Sequence, residues 1–190
     1  MSRLIFIFMA IAAVWFPAAA ACERQAQVNE RPLNYAWWLK IRFSPCDGEI
    51  YGLPVRSIHP AWQRASLLRE EYIPKSALYE TGRNALEESK FQFELTGDFN
   101  GDHRPDRAAV GVYETASEVG RFLLIVTEDK PGIWRRAFLK MYPGKRGFLA
   151  LRKVGAKLEL WSCLECGVVS DLMWSSKQKQ YVWLKAPKYD

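Results

Sequence analysis

From Lys90 to Leu184 the chain is a series of short apolar segments separated by turns of only a few residues. Phe91, Phe93 and Leu95 alternate with Gln92, Glu94 and Thr96, which predicts a strand with one buried face. Further strands are expected over 107–114, 121–128, 133–141, 148–152, 157–163, 168–174 and 180–184. The turns between them include Asp129-Lys130-Pro131-Gly132, Pro143 to Gly147, Val154-Gly155 and Ser175-Ser176-Lys177. Parallel neighbours need a crossover of about a dozen residues or more, so these connections dictate antiparallel pairing. The expected fold is therefore α+β and mainly β, an antiparallel meander of about eight short strands. No repeat of blade length recurs, and the chain is too short for a full propeller.

Upstream, the pattern is mixed. Tyr35, Trp37, Trp38, Leu39, Ile41 and Phe43 alternate in part and suggest a strand, followed by a turn at Ser44-Pro45-Cys46-Asp47-Gly48. Pro60 suits a first helical turn, and Trp62, Ala65 and Leu68 recur at helical spacing, which predicts a helix over 58–68. A second short helix is expected over 81–88, with Thr81 able to cap it. One or two helices over about 58–88 thus precede a meander over about 90–185, within one domain spanning 22–190.

The first 21 residues follow a different logic. After Arg3 comes an uninterrupted apolar run from Leu4 to Phe16, then Pro17 and four alanines, Ala18 to Ala21. A charged start, a 13-residue apolar stretch and a small-residue cleavage region make the three-part pattern of a signal peptide over 1–21. That stretch is short for a membrane span, and no other segment approaches the needed length. Cleavage before Cys22 would leave 169 residues and lower the formal charge from +6 to +5. The expected location is the periplasm or the medium outside the cell.

All four cysteines, Cys22, Cys46, Cys163 and Cys166, would then meet an oxidising compartment. The favoured pairings are Cys22 with Cys46 and Cys163 with Cys166. A lipid anchor on Cys22, which lies directly after the small residues Ala19, Ala20 and Ala21, is the alternative and would make the chain an outer-membrane lipoprotein. It lacks the usual Leu three residues earlier, where Ala19 stands, and would leave Cys46 unpaired.

One loop carries most of the chemistry. In Gly97-Asp98-Phe99-Asn100-Gly101-Asp102-His103-Arg104-Pro105-Asp106, oxygen-bearing side chains fall at relative positions 1, 3, 5 and 9 from Asp98. Calcium takes six to eight hard oxygen ligands, and a tightly turning loop supplies them from alternate side chains and a backbone carbonyl near position 7, here Arg104. Position 12 is Ala109 and not Glu, so this is not an EF-hand. The stretch GDFNGDHRPDRAAV resembles the calcium loop of FG-GAP and VCBS-type repeats. That resemblance implies side-chain ligands at Asp98, Asn100, Asp102 and Asp106, a carbonyl ligand at Arg104, and one structural Ca2+. His103 stands where the pattern has Gly and is thereby asked for a positive φ, which His tolerates at some cost. The competing reading is a plain hairpin loop of turn-forming residues, with Arg104 and Arg107 neutralising the carboxylates.

Other constellations are weaker. Cys163-Leu164-Glu165-Cys166 is a CxxC, but strands flank it where a redox motif would have a helix start to lower the thiol pKa, so a hairpin staple is favoured over a thiol–disulfide oxidoreductase. Only two histidines occur, His59 and His103, and no Ser or Cys lies in a nucleophile motif. There is no Gly-rich phosphate loop, and Glu70-Glu71 and Glu87-Glu88 read as solvated helix faces. Seven tryptophans follow residue 21, and core packing is the plain reading for them. Trp134 with Arg135, Arg136 and Lys140, and separately Lys177, Lys179, Tyr181 and Lys185, are expected to offer basic aromatic surfaces to an anionic envelope partner. Export removes nucleic acid as a partner. These expectations converge on an exported, non-enzymatic binding or structural protein of the bacterial cell envelope, with an inhibitor or immunity-like protein as the alternative.

Overall fold

The computed structural model describes residues 22–28, 36–79, 85–165, 167 and 169–185. The expected signal peptide at 1–21, Thr81 and Cys166 lie outside them. The elements in chain order are β1 (Gln27–Val28), α1 (Trp37–Lys40), β2 (Ile41–Arg42), β3 (Glu49–Ile50), β4 (Leu53–Pro54), α2 (Val55–Ile58) and β5 (Arg64–Leu67). A 3-10 turn (Glu70–Tyr72), α3 (Lys75–Leu78) and α4 (Ala85–Ser89) follow. Then come β6 (Glu94–Gly97), β7 (Asp106–Glu114), β8 (Val119–Lys130), β9 (Ile133–Pro143), β10 (Ala150–Val154), β11 (Lys157–Trp161), β12 (Val169–Ser175) and β13 (Gln180–Lys185). The fold is α+β and mainly β, and β6 to β13 are the eight strands the alternation predicted. Every pairing among them is antiparallel.

The eight strands divide between two sheets. One has the order β5-β7-β8-β9, with β6 sharing the outer edge of β7 alongside β5; the other is β10-β11-β12-β13. A bridge from Gln92 to Leu151 joins them on one side, and Phe138 of β9 against Tyr181 and Trp183 of β13 closes the other. Between the sheets lies the main core, with Val110, Val112, Leu123 and Ile125 facing Leu151, Leu158, Leu160 and Leu172.

The other face of the first sheet is buried too. A smaller cluster of Ile50, Val55, Ile58, Trp62 and Ala65 covers Tyr113, Phe122, Leu124 and Val126. That two-sided burial explains why β7 and β8 read as nearly continuous apolar runs. It also explains the main difference from expectation. The predicted helix over 58–68 is a short helix ending at Ile58, a turn, and then strand β5, which pairs with β7. Ala65 packs into the outer cluster and Leu68 into the inner one, so their three-residue spacing reports two covered sheet faces and not one helix face. At 37–40 the order is reversed, with a helical turn where a strand was expected. Trp37 and Trp38 are both buried and lie about 100° apart on that helical turn.

Two glycines let β7 and β8 lie under aromatic rings. Gly111 pairs with Phe122 and Gly120 with Tyr113, and each ring folds across its glycine partner. A Cβ on Gly111 would stand 2.5 Å from the Ser66 carbonyl oxygen and run into the Phe122 ring. Gly111→Ala is therefore expected to cost about 1–3 kcal/mol as an overpacking change. Chemical denaturation would measure it, and an unchanged midpoint would refute this account of the site.

Candidate metal centre

The loop 98–105 closes the hairpin between β6 and β7, whose last register pair is Gly97 with Asp106. The next strand sets Thr127 opposite Asp106. Asp106 is thereby held at a three-strand junction, and it is fully buried. One of its oxygens accepts the Thr127 hydroxyl, and the other accepts the Phe99 amide at 2.8 Å and the Tyr181 hydroxyl at 3.4 Å. Burial pushes the Asp106 carboxyl above its ordinary pKa, and the donors from Thr127 and Phe99 oppose that shift.

The exposed part of the loop is organised by its own carboxylates. Asp98 accepts the backbone amides of Gly101 at 2.7 Å, Asp102 at 3.2 Å and His103 at 2.9 Å. Desolvation works against ionisation of Asp98, but these three donors outweigh it and hold its carboxyl below the usual range. Asn100 accepts the Asp102 amide at 2.9 Å, and Asp102 accepts the Arg104 amide at 2.9 Å. The Asn100 side-chain amide also donates to Asp102 at 3.1 Å. Gly101 and His103 take φ values of 76° and 62°, so His103 adopts the left-handed conformation that its place in the motif required.

Tyr181 reports how these charges gather. Its hydroxyl pKa is raised, first by burial and then by the carboxylates of Asp106, Asp102 and Asp98. Among the described residues no three His, Cys, Asp or Glu side chains are grouped as a preformed metal cage. The donor set at this loop is of another kind: three carboxylates, the Asn100 amide oxygen and the Arg104 carbonyl, all hard oxygens of the type calcium takes.

The arginines are turned elsewhere. Arg104 donates to the Asp129 carbonyl at 3.2 Å and pairs with its carboxylate at 3.6 Å. Arg107 pairs with Glu94 at 3.2 Å and lies over the rings of Tyr51 and Trp134, at 5.0 and 4.8 Å from their centroids. Neither neutralises a loop carboxylate, as the plain-hairpin reading required. His103 Nδ1 lies 3.9 Å from an Asp98 carboxylate oxygen, and its ring is almost wholly exposed.

Cys22 and Cys46 form the expected disulfide. Cys163 is disulfide-bonded and buried, and Cys166, the partner that the spacing expects, lies outside the described residues. His59 packs on Trp62 and accepts the Ala61 amide in a turn. Of the two basic aromatic surfaces, the one around Tyr181 loses its ring, because Tyr181 is buried and turned to Asp106. In the other, Trp134 is half-buried against the outer cluster, and Arg136 donates to the Ile58 carbonyl. Sequence reasoning missed Thr127 and Tyr181 as partners of the loop. For Thr127 the signal was a hydroxyl closing an apolar strand; for Tyr181 there was none, because the contact joins the two sheets. No helix among the described residues is long and apolar enough to cross a membrane. No protein-family model, no curated protein and no solved structure matches this chain.

Proposed function

We propose that the chain is an exported, non-enzymatic binding or structural protein of the bacterial cell envelope, whose two sheets are braced by one calcium ion at the loop of Asp98, Asn100, Asp102, Arg104 and Asp106. The observation that carries this reading is the disposition of charge: the loop gathers three carboxylates while Arg104 and Arg107 are paired with Asp129 and Glu94. A dication would relieve that crowding and fix the β6–β7 connection against Tyr181 of the second sheet. The cysteines support export, since Cys22 is tied to Cys46 and the burial of Cys163 opposes the thiol exchange an oxidoreductase would need.

Calcium added to chelator-stripped protein is expected to stabilise it by about 2.7 kcal/mol at a hundredfold excess over Kd. For a domain of this size that is a rise in Tm of about 5–10 °C. Differential scanning calorimetry with and without calcium reads the shift directly, and Asp102→Asn should weaken the response without unfolding the protein. A melting temperature indifferent to calcium would overturn the brace. Mass spectrometry of the native protein tests the rest, through the cleavage site and any lipid on Cys22.

A further inference from the structure

A second charged feature lies in a groove unconnected with the Asp loop. Its floor and lips come from α1, β2 and the turn after β9, and the open space measures about 720 Å³. Lys40 and Arg42 line one side and Lys145 and Arg146 the other, and none of the described lining residues is acidic. The two sides are held together by backbone, since the Phe43 amide donates to the Arg146 carbonyl at 2.9 Å. Arg146 is partly neutralised by Glu114 at 3.1 Å, whereas Arg42 and Lys145 are exposed.

The first lip is firmly anchored. Trp37, Trp38, Ile41 and Phe43 are all buried, which leaves Leu39 and Arg42 facing outward from a fixed backbone. Leu39 is 64% exposed and borders the same groove. A rigid leucine beside a cluster of cations is the pattern of a surface that meets phosphate groups on one side of an apolar boundary.

We infer that this groove, formed by Lys40, Arg42, Lys145 and Arg146 with Leu39 at its rim, docks the protein on the phosphate headgroups of an anionic phospholipid surface. The inference deepens the envelope-binding reading by naming the face and the ligand class. It does not depend on the calcium loop. Each Lys or Arg near an anionic leaflet contributes about 1 kcal/mol, or about fivefold in partitioning. Removing the two exposed cations should therefore weaken binding roughly 30-fold.

The test is sedimentation of the purified protein with phosphatidylglycerol vesicles and with phosphatidylcholine vesicles, in the presence of a calcium chelator. The expected result is binding to the first only, falling with added salt, and lost by roughly 30-fold in the double variant Arg42→Gln/Lys145→Gln. Leu39→Ser should weaken it several-fold. Lys177→Gln/Lys179→Gln removes the same net charge from the turn between β12 and β13 and should leave it nearly unchanged. Equal losses in both double variants would overturn the inference in favour of net charge alone. No binding to either vesicle would overturn it outright, as would binding that Leu39→Ser leaves intact and dilute inorganic phosphate abolishes, which marks an ion site and not a membrane surface. Chelation makes each outcome independent of the calcium result, and unchanged melting of the variants shows that they are folded.

Discussion

Replacing Trp62 by Ala is expected to lower stability by about 3–5 kcal/mol, read as a fall in the denaturation midpoint. The indole is wholly buried, stacked on Tyr113 at 5.2 Å with an interplanar angle of 9°, and set against Phe122 at 4.8 Å. Those two rings are the ones folded across Gly120 and Gly111, so Trp62 clamps both cross-strand glycine pairs from outside the sheet. It is also the largest wholly buried side chain of the smaller cluster, so its truncation leaves the largest gap there. The indole Nε1 is buried and has no hydrogen-bond partner among the described residues, so Trp62→Phe removes that unsatisfied donor and should cost clearly less than Trp62→Ala. Equal losses in the two variants would contradict the stacking account.

Asp106→Ala is expected to be nearly as damaging, at about 3 kcal/mol, because it orphans the half-buried Phe99 amide and the buried hydroxyls of Thr127 and Tyr181 together. It should also abolish the calcium response. Asp106→Asn keeps the volume and one accepting oxygen, so it should lose the calcium response with a smaller loss of stability. The pH dependence separates charge from shape. In metal-free protein the raised pKa means that the native state holds its proton to higher pH than the unfolded chain, whose carboxyl titrates near 3.9. The Asp106 contribution is then fully present below about pH 3.9 and is lost as pH rises through the folded value. Urea midpoints measured across that range should show this falling segment in the wild type but not in Asp106→Asn. If both proteins keep the same slope, the buried carboxylate is not its source.

The loop is legible in the sequence because its chemistry is local. Oxygen-bearing residues at fixed spacing, with a positive φ demanded at position 103, can be read in ten consecutive residues, and the backbone fulfils that demand. The eight strands after residue 90 are legible for a similar reason, since short connections leave antiparallel pairing as the only option. The 58–68 segment misleads because a strand covered on both faces loses the period of two that identifies strands. Tyr181 is expected on the surface and lies buried because its partner is 75 residues away in the chain.

What the sequence by itself determined, then, was the antiparallel β character, the oxygen-rich loop and the cysteine pair that closes as Cys22–Cys46. Only the tertiary structure decided that the strands split into two sheets around a shared core, that Arg104 and Arg107 leave the loop carboxylates unneutralised, and that Lys40, Arg42, Lys145 and Arg146 line one groove. The physical reason is range. Dihedral preference and spacing act over a few residues, whereas which charges meet is settled by how distant strands register across a core.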